Sequence, residues 1–336
     1  MLQKRTILEI PDIYTANAFL LGGRLIVGAG SETEPVVRLH DLSEEKTEQV
    51  KYCPGGMMSI VPVPGKPDSL VSVMGLFPPF LGKKAGLFLH RRGTNRWETH
   101  KILDLPFAHR CEFLPGTGSP VLIAASVSKY KENPADWSQP GEIHALNLAK
   151  DPSGEYETMI INKNITRNHG MFRGWINGLE SLCVSGKEGI FRIGRTADEA
   201  WEISSIFEKE VSEMSFIDLD GDGSSELVTI EPFHGSTLNI YKHRDHEWKQ
   251  MFSSPLSFGH GLSSGIFRGR PIIVTGNRSE SLALEIFTPD DLSQGIVNRE
   301  VIEEGAGPTQ TQVFSHEGRD YILSANQKKN EVALYS

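Results

Sequence analysis

The sequence predicts an all-β protein, a seven-bladed β-propeller closed by its own N-terminal strand, and three observations carry that reading. Apolar residues at helical spacing rarely persist, whereas short β-rich runs bounded by Gly, Pro, Asn and Asp recur along all 336 residues. The runs group into a unit of about 48 residues that occurs seven times, close to the length of a four-stranded propeller blade. The last unit stops after three strands, while "QKRTILEI" at residues 3–10 is a strand with no partner in its own unit. A pair of β-sandwiches is the alternative architecture.

Each unit reads as an apolar strand ending near Phe, a turn, a second apolar strand, a polar loop, a third strand and a charged fourth. Residues 14–56 hold "TANAFLLGGRLIVGAGSETEPVVRLHDL", and 57–107 hold "MMSIVPVPGKPDSLVSVMG" followed by "AGLFLHRRGTNRWETH". Residues 108–168 hold "RCEFLPGTGSPVLIAAS" with a long insertion before "GEIHALNL", and 169–210 hold "MFRGWINGLESLCVSGKEGIFRI". Residues 211–259 give the clearest copy, "EMSFIDLDGDGSSELVTIEPFHGSTLNIYKHRDHEWKQMF", followed by "SSGIFRGRPIIVTGNRSESLALEIFTPDD" within 260–306. Residues 307–336, with "QTQVFSHEGRDYILSANQKKNEVALYS", take residues 1–13 as their fourth strand.

A composition of 38% hydrophobic and 23% charged residues is that of a globular protein with a large core. A formal charge of −9 argues against nucleic acid as a partner. The N-terminus lacks an apolar signal-peptide core, and no run approaches about 18 uninterrupted apolar residues, so a cytoplasmic protein that does not engage membranes is expected. Cys53, Cys111 and Cys183 are widely spaced and each stands beside apolar residues, as free thiols do.

Function must sit where loops converge. In a blade, the turn between strands one and two lies on one face of the disc, and the blade entry and the loop between strands two and three lie on the other. The turn "DLDGDGSSEL" of unit five carries Asp218, Asp220, Asp222 and Glu226 around Gly221 and Gly223. Clustered carboxylates on a bendable backbone suit a hard cation such as Ca²⁺ in a structural role; the plain alternative is a polar Asp-Gly hairpin.

On the opposite face, "NHGMFRGWING" and "GHGLSSGIFRG" place a His-Gly nine residues before a turn glycine, putting His169 and His260 at blade entries. His109 in "FAHRCEF" opens unit three. The loops of that face add Lys129, Tyr130 and Trp137 from the insertion, Glu231 and His234 from "EPFHGST", Asn277 and Arg278 from "TGNRSES", Lys187, and Asn326, Gln327 and Lys328 from "ANQKKN". Three imidazoles aimed at one channel mouth predict a pocket there, with a divalent transition metal as a candidate cofactor.

The acidic turn resembles the calcium loops of FG-GAP and integrin-type propeller repeats. With the blades and the channel histidines, the chain resembles the propeller polysaccharide and oligosaccharide lyases and the propeller part of aldos-2-ulose dehydratase. That resemblance of architecture spans the whole chain on few, short motifs. It implies β-elimination from a small acidic sugar or uronate-containing oligosaccharide, with His109, His169 and His260 holding the metal and Gln310 or Gln312 as a fourth ligand. Charge developing beside the carboxylate would be neutralised by the cation or by Arg278 and Arg110, and a neutral His, Tyr130 or Lys129 would move the proton, so activity would fade as pH drops through roughly 6.5. The rivals are a non-catalytic binding or scaffold propeller, and hydrolysis by a carboxylate pair drawn from Glu231 and Asp136.

Overall fold

The structure, a computed structural model of the chain, describes residues 2–50, 54–77, 82–94, 96–116, 118–148 and 156–336; Cys53 lies outside them. Among the described residues, 28 strands form seven four-stranded antiparallel sheets, arranged as the blades of a propeller. The seventh sheet joins Lys4–Glu9 to the C-terminal strand Glu331–Tyr335, with Lys4 opposite Tyr335 and Glu9 opposite Glu331, so the N-terminal strand closes the ring. Lys4 Nζ reinforces the closure by pairing with Glu331 of blade seven at 2.5 Å and with Glu303 of blade six at 2.6 Å.

The position of a strand in its blade sets its residue pattern. Second strands such as Ser69–Met74 and Val121–Ser126 are buried at every residue, because a blade packs on both neighbours, and their near-continuous apolar runs follow from that. Outer strands meet water: four of the five residues of Lys46–Val50 are exposed. The core therefore lies as wedges between blades. The closing wedge holds Ile10, Ile13, Val27 and Leu323, all wholly buried, and such side chains contribute about 1.5–3 kcal/mol each.

Inner strands line a central channel of about 310 Å³ whose wall includes Asn17, Arg110, Glu213, Ser264, His260 and Gln310. Across the closing seam, Gln310 and Gln312 behave as extra strand partners. Gln310 accepts from Ala16 N at 3.3 Å and donates to Asn17, while Gln312 accepts from Ala18 N at 2.7 Å and donates to Ala18 O at 3.0 Å. Cys111 and Cys183 are free and buried, and burial pushes both thiols up to about 12. No helix of the described residues is long and apolar enough to cross a membrane.

Candidate metal centre at the channel mouth

A backbone irregularity repeated at the blade entries builds the site. In blade one, Ile13 pairs with Ser31 and Thr15 with Gly30, so Tyr14 is skipped. His109, His260 and Thr309 are skipped in the same way at the entries of blades three, six and seven. A bulge of this kind adds one unpaired residue and re-aims its side chain. Three of the four form a closed circuit. Tyr14 Oη lies 3.0 Å from His260 Nε2, His260 Nδ1 is 2.7 Å from Thr309 O, and Thr309 Oγ1 donates to Tyr14 O at 2.7 Å.

His169 enters from blade four, directly before the inner strand Met171–Ile176. Gly170 follows it of necessity, since a Cβ there would stand 2.4 Å from Ser185 Oγ and 2.6 Å from Ser212 O. At Gly261, after His260, the nearest atom is 3.3 Å away, so the second His-Gly is less constrained. The fourth imidazole, His234, comes from the loop between the second and third strands of blade five. It stacks on Phe233 at 3.9 Å and lies 4.7 Å from the Phe258 ring, covering the buried histidines.

Ligand nitrogens of His169, His234 and His260 all lie within 4.8 Å of one another. The triad therefore differs from the expected one, with His234 in the place of His109. His109 instead packs against His169, ring centroids 4.2 Å apart, with its Nδ1 3.2 Å from His169 O. A carbonyl can only accept, so Nδ1 of both His109 and His260 carries the proton; Nε2 of His260 then accepts from the Tyr14 hydroxyl, a bond that a metal on His260 would replace. His169 Nδ1 stands 2.8 Å from Glu213 Oε1, and neither of its buried ring nitrogens makes a hydrogen bond among the described residues. Backing one ring nitrogen with a carboxylate or carbonyl so that the other points inward is how metal-ligating imidazoles are oriented. The donor set thus fits a borderline-soft divalent metal.

Burial and neighbouring charges disfavour the protonated forms of His109, His234 and His260. Burial pushes His109 and His260 well below the usual imidazole range, and the neighbouring imidazoles and arginines add to it. Burial, His169, Arg278, Arg167 and Lys131 together bring His234 down to about 2. Glu213 is fully enclosed, and burial alone would raise it, but Arg110, 3.0 Å away, and His169 hold the carboxyl below its ordinary value.

Cations and aromatic rings surround the mouth. Arg278 lies over Tyr14 and Phe258 at 5.8 and 5.9 Å, donates to Gln327 and faces Glu32 at 3.8 Å. Arg167 lies over Phe233 and Trp137 at 5.5 and 5.9 Å, and Lys131 Nζ sits 3.2 Å from the Trp137 ring centre. Burial lowers Lys131 to about 8.

Other expected residues stand elsewhere. Gln310 and Gln312 are occupied by the blade-one backbone, which removes them as ligands. Arg110 pairs with Glu213 in the channel wall. Both side-chain functions of Asn277 are taken, by Glu285 and by Ser257 N. The Glu231 carboxylate is held by Thr229 and Tyr241 in the blade wall, and Asp136 caps a turn at Glu132 N and Ser138 N, so the structure does not assemble them into a hydrolytic pair. Tyr130 is exposed beneath Lys83, Lys129 lies 3.4 Å from Glu142, and Lys328 and Lys187 are exposed. No hydrogen bond or ring contact joins Lys129 or Tyr130 to the imidazoles among the described residues.

The sequence reading passed over Tyr14, Glu213, Phe233, Arg167 and Lys131. The signal for Tyr14 was present, since "IYTA", "AHRC", "GHGL" and "PTQT" place Tyr14, His109, His260 and Thr309 at one repeat position. On the other face, Asp218, Asp220 and Asp222 bring carboxylate oxygens within 4.8 Å of one another, a second group able to hold a cation. Lys242 Nζ also reaches into this group.

No family model and no curated protein matches this chain. Among solved structures, it is similar to the β-propeller domain of Cps50 (Swd1) from Myceliophteria thermophila, at 9% identity and a TM-score of 0.61 over 99% of both chains. It is also similar to a protein titled a "putative 6-phosphogluconolactonase" from Bacteroides uniformis, at 11% identity and a TM-score of 0.58 over 88% of this chain and 86% of that one. At such identities the likeness shows the fold alone, and on that ground and on its own sheet order the chain is a seven-bladed β-propeller.

Proposed function

We propose that the chain is a metal-dependent carbon–oxygen lyase that acts by β-elimination on a small acidic sugar or uronate-containing oligosaccharide at the channel mouth. The observation that carries this reading is the convergence of three imidazoles, with His169 and His260 backed by Glu213 and the Thr309 carbonyl, beneath a rim of Arg167, Arg278 and Lys131. His169, His234 and His260 would hold a divalent transition metal, which when bound supplies Lewis-acid neutralisation of a carboxylate.

The remaining steps belong to the side chains. Arg167 and Arg278, each seated on aromatic rings, bind and orient the anionic sugar on a chain whose net charge is −9. His109, neutral and with its lone pair on Nε2, takes the proton from the carbon beside the carboxylate. The electron pair of that C–H bond forms the new C=C bond, the C–O bond on the adjacent carbon breaks, and the leaving oxygen takes a proton from Lys131. Phe233 and Phe258 exclude water from the proton transfer.

A second reading, a non-catalytic binding propeller, is favoured by the burial of His109, His169 and His260, each at most 2% exposed beneath Phe233 and His234. Incubation with a panel of uronate oligosaccharides, followed by the absorbance of an unsaturated product, separates the two. The lyase reading requires product from the metal-loaded protein and none from His109→Ala with its metal retained. A metal-loaded, folded protein that binds an acidic sugar and yields no unsaturated product is a binding module.

A further inference from the structure

We infer that the acidic loop of blade five carries its own cation, the ammonium of Lys242, and that this hairpin works as a calcium-free staple. Lys242 lies in the third strand of the blade, Thr237–Arg244, which pairs with Glu226–Glu231 so that Tyr241 stands opposite Leu227. That register places residue 242 beside Glu226 and under the turn. The side chain is buried, and Nζ stands 2.5 Å from Asp220 Oδ2, 2.8 Å from Asp222 Oδ2 and 2.9 Å from Glu226 Oε1.

Four of the five other carboxylate oxygens accept from backbone donors. Asp218 accepts from Gly221 N at 2.7 Å and Gly223 N at 2.8 Å, Asp222 from Ser224 N at 2.9 Å, and Glu226 from Leu219 N at 2.7 Å. Each of the four carboxylates thus has a partner in the chain itself, Glu226 Oε1 meeting the ammonium by proximity without a hydrogen bond. A calcium ion needs six or more oxygens at about 2.3–2.6 Å, and three of the oxygens on offer already contact an ammonium. An ion that took the three oxygens now on Nζ would have to expel a buried lysine.

Thermal melting and calcium titration test this. The wild-type chain is expected to melt at the same temperature in excess EGTA and in about 5 mM Ca²⁺, and to give no saturable calcium-binding heat. Lys242→Met leaves the carboxylates to repel one another; it is expected to melt about 5–10 °C lower in EGTA and to regain most of that on adding Ca²⁺, the ion taking the place the ammonium left. Saturable Ca²⁺ binding by the wild type with a rise in Tm would overturn the assignment, and so would a Lys242→Met protein with an unchanged Tm in EGTA. If that variant fails to fold, the wild-type titration decides alone.

Discussion

Tyr14, His260 and Thr309 close a hydrogen-bonded circuit that joins blades one, six and seven. Within it the ring nitrogens have fixed roles, and this makes the pH behaviour of the site predictable. Burial holds His109 and His260 far below 6.5 and His234 at about 2, so the folded chain stays unprotonated at these rings well into acid. The unfolded chain takes up protons near 6.5. Stability from these rings is therefore complete above 6.5 and is lost as pH falls from there towards the lowered folded values. Melting of the metal-free protein should drop between pH 7 and 5, and His109→Gln should flatten that slope; a wild-type Tm level across this window would refute the depressed values. On the proposed lyase reading, the same shift would move the acid limb of activity below 6.5.

Individual loops supply what the blade entries do not. The insertion of blade three carries Trp137 inward, in contact with Phe233, and sets Lys131 over its ring. On the proposed lyase reading, Trp137→Ala should raise the KM for an acidic oligosaccharide and, because its ring seats Lys131, lower kcat as well, with metal content unchanged. Loss of the metal in that variant would instead give the insertion a structural role. The sequence pointed to this insertion, yet chose Lys129 and Tyr130 over Lys131. Neighbouring residues of an extended segment face opposite ways, and no periodicity states which way an irregular segment turns. His234 was legible as a loop residue of the right face, but its meeting with His169 and His260 depends on how far the loop leans over the channel. Lys242 was illegible for another reason, since strand register, not sequence distance, brings it to a turn that begins 24 residues earlier, at Asp218.

As a whole, the molecule is a ring that must close. Its architecture was readable because blade packing forces two-faced apolar second strands and polar outer ones, a pattern that survives without sequence similarity to any curated protein. The orphan strand at residues 3–10 was equally readable, and it appears as Lys4–Glu9 on the last blade. Deleting residues 2–9 should lower Tm sharply and promote aggregation, since it uncovers the edge of Glu331–Tyr335 and removes Leu8 from the seam. An unchanged Tm in the truncated chain would mean that the ring does not depend on this pairing. What a ring adds to function is convergence: His169, His234 and His260 come from blades four, five and six and meet only in the closed fold.

Elemental analysis of the purified protein and of four alanine variants tests that convergence most directly. One divalent transition metal per chain is predicted for the wild type, with loss of the metal in His169→Ala, His234→Ala and His260→Ala and full retention in His109→Ala. A wild-type protein that takes up no metal on reconstitution, or a folded His234→Ala protein that keeps a full equivalent, would contradict the account.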